Sequence, residues 1–290
     1  MSTILYYCVL PLLYLISILP FPVFYLFSDF VYLLLYRVIG YRKKVVYGNL
    51  KNSFPTKSHE ELKQIEKAFY HYLCDLFLET LKTLTISKEE AIKRCKYSPQ
   101  TKAIFDDLAD KKQSCIIVMG HFGNWEWAGN SFSLQGKQQL YVIYHPLSNK
   151  NVDKLMYDMR SRFGTKLYAM KDTMREMIRN RNEVNATAFI ADQTPAPESA
   201  YWTTFLNQDT PVFWGTEKIA QKLNYPIVYV TISKVKRGFY TVNSEILVNE
   251  PKNTKEGEIS ELHTRKLEKD ILAQPEIWLW SHRRWKHKRK

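Results

Sequence analysis

At 290 residues with 45% hydrophobic side chains, the chain is long enough to bury a core as one catalytic domain with a small appendage. Its net charge of +13 favours anionic partners, whether nucleic acid, a membrane surface or a phosphorylated substrate. Cys8, Cys74, Cys95 and Cys115 form no Cys-x-x-Cys pair, and no His-Glu-x-x-His or Gly-rich phosphate loop occurs, which predicts a reducing cytosolic face and no structural disulfide, metal site or bound cofactor.

Ile4 to Ile39 is almost continuously apolar, with Asp29 and Arg37 as the only charges, and Pro20 and Pro22 divide it into two pieces. Neither a basic leader nor a small-residue cleavage site frames it, so the reading is an uncleaved membrane anchor over residues 1–40. One tilted span and a shallow re-entrant hairpin both fit. Arg37, Arg42, Lys43 and Lys44 follow closely and place residues 41–290 on the cytoplasmic side of the membrane. The same cluster can rest against anionic head groups.

Ser58-His59-Glu60-Glu61 has the form of a capping box. It opens a helix whose apolar face runs through Leu62, Ile65, Phe69, Leu73, Leu76 and Phe77. His71 and Glu79 on that helix read as surface or rim residues. Ser87-Lys88-Glu89-Glu90 repeats the capping pattern, and Thr101 to Asp110 predicts another helix. Cys115 to Met119 then forms a buried-type strand that stops at Gly120.

Gly120-His121-Phe122-Gly123-Asn124-Trp125-Glu126 follows. Asn124 is a good N-cap, so a helix is expected from Trp125. On a straight helix, residues five apart point about 140° from each other; His121 and Glu126 can therefore meet only across a strand–turn–helix junction, which Gly123 permits. A neutral imidazole can take a proton from a hydroxyl, and a carboxylate on its other nitrogen would fix the tautomer. No Gly-x-Ser-x-Gly occurs, so the activated hydroxyl would come from a substrate. A core histidine beside a helix-start glutamate is the plainer alternative.

Further on, Leu140 to Tyr144 and Val184 to Ile190 read as strands, with helices from Asn149 to Arg160 and from Asp172 to Asn180 between them. Arg160 and Arg162 at a helix end suit phosphate binding or complement the helix dipole. Asp192-Gln193 leaves a strand end, where α/β sites collect; Asp192 would orient a substrate hydroxyl or a basic side chain, or close an Asx turn before Pro195. Thr203 to Leu206, Tyr225 to Val230 and Tyr240 to Val248 are strand-like, and Thr210 to Thr216 leads into a helix from Glu217. Lys236-Arg237-Gly238 carries no assignment. An amphipathic helix from Glu256 to Leu272 precedes Trp278-Leu279-Trp280-Ser281-His282-Arg283-Arg284-Trp285-Lys286, whose interleaved Trp and Arg fit lipid head-group depth. The alternation predicts an α/β fold: a layered mixed sheet flanked by helices, with an N-terminal hydrophobic membrane-anchoring segment.

His121-x4-Glu126 resembles the motif of glycerolipid-type acyltransferases. The fuller set resembles the late acyltransferases of bacterial lipid A biosynthesis: Arg42, Asn49-Leu50, Phe54-Pro55, His121 to Glu126, Arg160, Asp192-Gln193 and Trp278 to Lys286. The resemblance spans the chain in order, although Thr194-Pro195-Ala196-Pro197-Glu198 stands where that family often has Gly-rich residues. It implies transfer of a fatty acyl group from acyl carrier protein, or coenzyme A, to a hydroxyacyl group of a lipid A precursor at the cytoplasmic face of a bacterial inner membrane. His121 and Glu126 would be catalytic, the helix start at Asn124 and Trp125 with Arg160 would steady the oxyanion, and Arg160, Arg162, Asp192 and Gln193 would contact substrate. Another glycolipid or phospholipid acceptor, a lipid-directed hydrolase and a basic membrane-bound adaptor are the alternatives.

Overall fold

The structure, a computed structural model, describes residues 3–289; the side chains of Thr3 and Ile4, and Lys290 of the basic tail, lie outside the described residues. Its centre is a seven-stranded mixed sheet in the order β1-β9-β8-β2-β5-β3-β4. The strands are β1 (Cys95–Tyr97), β2 (Cys115–Met119), β3 (Gln139–Tyr144), β4 (Lys166–Ala169), β5 (Asn185–Ile190), β8 (Ile227–Lys236) and β9 (Phe239–Val248). Strands β8, β2, β5, β3 and β4 run parallel, while β9 returns antiparallel to β8 and pairs parallel with β1. This confirms the layered mixed sheet. A separate antiparallel hairpin joins β6 (Ala200–Phe205) to β7 (Gln208–Phe213), so the start of the segment read as leading into a helix is instead a strand. The three-residue β1 was too short to be read from periodicity.

Side-chain alternation divides the core between the two faces of the sheet. Ile117, Met119, Leu140, Ala188 and Val230 face one apolar cluster, which holds Phe105 of α6 (Pro99–Asp110) and Phe132 of α7 (Trp125–Gln135). Ile116, Val118 and Tyr141 face the other, with Ala220 of α10 (Gly215–Leu223) and Ile259 of α11 (Glu258–Ala273).

The N-terminal segment breaks where the prolines predict, into α1 (Thr3–Ile18) and α2 (Phe21–Tyr32), which continues as a π-helical stretch over Leu33–Ile39. Phe21–Ile39 is long and apolar enough to cross a membrane and is the candidate anchor. Both α1 and α2 pack on α4 (His59–Lys82), and the contact is partly polar. Ser28 donates to Asp75 at 2.7 Å, and Arg237 bridges Asp29 and Asp75 at 2.7 and 2.6 Å. Arg237, unassigned from sequence, thus ties the β8–β9 turn to α2 and α4, and supplies the partner for the one acid of the apolar segment. The outward sides of the segment, including Leu12, Leu15, Leu26, Phe30 and Val38, are exposed.

Helix α4 begins with the expected reciprocal capping box between Ser58 and Glu61 and lies between the N-terminal helices and the sheet. Being covered on several sides, it buries more than one stripe: Phe69, Tyr70, Tyr72, Leu73 and Glu79 are all sealed. Glu79 is therefore a core residue, not a rim residue, and Phe77, expected inside, is exposed. The C-terminal tryptophans also depart from expectation. Trp278 and Trp280 are core residues at 2% and 0% exposure, and Arg284 is equally buried; burial of such rings stabilises a fold by about 3 kcal/mol each. Asn49 holds this segment by donating to the carbonyls of Trp280 and His282, and Arg42 donates to that of Ser281.

Candidate active site

The turn after β2 is gripped from three sides. Gly123 has φ +65°, and a Cβ there would stand 2.1 Å from the Ile232 carbonyl oxygen, so both conformation and space demand glycine. Its N–H donates to the Ile277 carbonyl, Leu279 N–H donates to the His121 carbonyl, and Phe122 bridges Trp278 in antiparallel fashion. The Tyr72 hydroxyl donates to the Gly123 carbonyl at 2.7 Å. Asn124 caps α7 as expected, its Oδ1 accepting from Trp127 N–H at 2.9 Å. Its Nδ2 donates to Glu79, which also accepts from the hydroxyls of Tyr25 and Tyr240. Asn124 is fully buried and is absent from the walls of the cavity described below, so its side chain supports the turn.

The carboxylate beside His121 is Asp192, not Glu126. Asp192 Oδ1 lies 2.5 Å from His121 Nδ1, and its Oδ2 accepts from His121 N–H and Trp278 Nε1, both at 2.8 Å. Strand register explains the pairing. Met119 of β2 stands opposite Ile190 of β5, so two residues further along the parallel strands 121 meets 192. Burial alone would raise the Asp192 pKa, but attraction to the adjacent ring and the hydrogen bonds from its three donors outweigh burial and hold the group down at about 2. The carboxylate thus commits Nδ1 to carry the proton and leaves Nε2 unprotonated, within reach of Gln193 Nε2 at 3.3 Å and able to act as a base once a substrate hydroxyl replaces that contact.

Glu126 sits in the first turn of α7 and faces α8 (Lys150–Ser161). Its two oxygens accept from Arg160 Nε at 3.0 Å and Nη2 at 2.6 Å, a bidentate pair. The expected His121–Glu126 contact is thereby replaced by two pairs, His121–Asp192 and Glu126–Arg160, both reaching one cavity. Asp192 orients His121 and does not itself line that cavity. Arg162, expected to receive phosphate, instead donates to the carbonyls of Thr83 and Ile86 and ties α8 to the end of α4. Gln193 stays at the site, its Nε2 3.3 Å from His121 Nε2, and the Trp125 ring stands edge-on to the imidazole at 4.9 Å.

The cavity has a volume of about 560 Å³ and its walls are mainly apolar, with His121, Trp125, Glu126, Arg160 and Gln193 at its polar centre. From there one arm runs under the sheet between β2, β8 and β9 and helices α6 and α7, ending against Tyr97, Phe105 and Phe132, which pack ring on ring. Crossing from β2 to β1 takes three strand spacings, about 14 Å, enough for a fatty acyl chain of medium length. A base, an ion pair and a closed apolar arm together suit acyl chemistry on a lipid-like substrate.

Comparison with known proteins accords with this geometry. The sequence model of the family described as bacterial lipid A biosynthesis acyltransferase matches residues 1–287. No curated protein is matched by the chain.

Proposed function

The chain belongs to the bacterial lipid A biosynthesis acyltransferases, and on that premise we propose that it moves a fatty acyl chain from a thioester donor, acyl carrier protein or coenzyme A, to a hydroxyacyl group of a lipid A precursor. The observation that carries this reading is His121: Nδ1 is committed to Asp192 while the ring borders a largely apolar cavity. The donor chain lies in the closed arm with its thioester carbon at His121. Nε2 takes the proton of the acceptor hydroxyl as its oxygen bonds to that carbon. The C–S bond then breaks, and the proton passes from Nε2 to the departing sulfur. Arg160, fixed by Glu126, and the backbone N–H groups of Trp125 and Glu126 at the start of α7 would face the charge that develops on the thioester oxygen.

The exposed apolar sides of α1 and α2 would seat the enzyme on the inner membrane with its site on the cytoplasmic face, and the pairs from Arg237 and Ser28 to α4 hold the domain against that anchor.

The test is transfer by the purified protein from labelled acyl-carrier or coenzyme A thioesters to lipid A precursors bearing free hydroxyacyl groups, beside His121→Ala. The expected result is a new ester on the precursor, with the variant slower by about 10³-fold or more. Label transferred only to another glycolipid or a phospholipid would change the acceptor. Label released only as free fatty acid would replace transfer by hydrolysis.

A further inference from the structure

The cavity does not end at its polar centre. It crosses the C-terminal edge of the sheet and continues on the opposite face. Along β3, Leu140 and Val142 face the closed arm, while Ile143 faces the other side with Phe189 of β5 and Ile219 of α10. Phe213 at the end of β7 and Met170 after β4 extend this second wall. Unlike the first arm, it is a groove: Met170 is 48% exposed, and the other four side chains are partly open. Its polar groups are Thr173 and Thr216, with no charged side chain among Met170, Thr173, Phe213, Thr216 and Ile219. The shared mouth carries the exposed Leu147 and Tyr157 near α8, the helix that packs on α1.

We infer that this second arm binds the alkyl tail that continues beyond the reacting hydroxyl of the acceptor, so that donor and acceptor chains lie on opposite faces of the sheet with His121 at the strand ends between them. The inference rests on the proposed transfer reaction and deepens it. A hydroxyl on a sugar or glycerol has no alkyl continuation. A hydroxyl in mid-chain does, and the tail beyond it needs an apolar path that begins at the base. The phosphate of a thioester's pantetheine arm would call for cations, and its amides for several polar partners, where this groove offers two threonine hydroxyls and no cation. The two-armed cavity therefore selects acceptors whose hydroxyl sits on an acyl chain.

The experiment fills the groove with Ile219→Trp and, at a half-exposed position that tolerates bulk, Met170→Trp. KM is measured for the acyl donor and for two acceptors that differ only in the hydroxyacyl group, one long-tailed and one hydroxybutyryl. Thermal unfolding of each variant checks its fold, and Met170→Trp carries the test if Ile219→Trp does not fold. The expected result is a rise of about tenfold or more in KM for the long-tailed acceptor, with the short-tailed acceptor and the donor each moving by less than about twofold. Equal losses with both acceptors, or a raised donor KM, would overturn the inference while leaving the transfer reaction in place. A wild-type protein that acylates neither acceptor removes the parent reading and the inference with it.

Discussion

Asp192 and Glu79 are both sealed from solvent, and both support the turn that carries His121, yet burial has opposite outcomes for them. Asp192 is held at about 2 by its attraction to the His121 ring when that ring takes up a proton, and by hydrogen bonds from that ring, the His121 backbone N–H and the Trp278 indole. Glu79 has only neutral donors, from Tyr25, Asn124 and Tyr240, and the nearby acid Asp75 opposes its charge. Burial, the largest influence, then raises it to about 7. An identical functional group is thus a permanent anion on one side of the turn and proton-labile near neutrality on the other. What differs is the charge of its neighbours, not its depth. The permanent anion stands where a tautomer must be fixed. The labile one stands where the turn meets α4 and, through Tyr25, the N-terminal helices.

The comparison breaks most sharply at Asp192. Asp192→Asn keeps the shape but frees the imidazole to take the other tautomer, and kcat is expected to fall by about 10³–10⁴, or about 4–5.5 kcal/mol. Steady-state rates at matched folding check this; a loss under tenfold would return the orienting role to another group.

Glu79 governs stability rather than rate. Below pH 4.5 it is protonated in folded and unfolded chains alike. Between 4.5 and 7 the unfolded chain gives up a proton that the folded chain retains, so stability falls as pH rises, by about 3 kcal/mol in all, and no further above 7. Denaturant unfolding across that window should show the slope in the wild type, and Glu79→Gln should flatten it.

Glu126→Gln separates the two pairs at the site. It leaves the His121–Asp192 contact intact and removes the counter-charge of Arg160, so the expected loss in kcat/KM is about 10- to 30-fold, near 2 kcal/mol, far short of Asp192→Asn. Equal losses for the two variants would restore Glu126 as the partner of His121. The smallest effect is expected from Trp278→Phe, which removes one of three donors to Asp192 and should cost about 1 kcal/mol of stability with a few-fold loss in rate, read from paired unfolding and rate measurements.

Much of this was legible locally. Asn124 as an N-cap, the capping box at Ser58, the break at Pro20 and the strand Cys115–Met119 follow from short-range backbone chemistry, which needs no partner elsewhere in the chain. His121 stood out because a polar residue after an apolar strand and before a helix start is unusual. Glu126 was misassigned because proximity in sequence stood in for proximity in space. The first turn of α7 points it at Arg160, 34 residues away. Asp192 stands at a strand end, where a basic side chain is an expected partner, but nothing local says that β5 lies beside β2.

The family, the alternation of strands and helices, the apolar N-terminal segment and the base at the end of a strand are all legible in local pattern, because periodicity, caps and glycine positions act within a few residues. Only the packing of distant segments sets which carboxylate orients that base, why Arg237 bridges Asp29 and Asp75, why Glu79 is buried, and why Trp278 and Trp280 are core. Each of these depends on parallel register and on helix packing between residues tens to hundreds of positions apart, where the contact is set by the fold of the sheet rather than by any spacing along the chain.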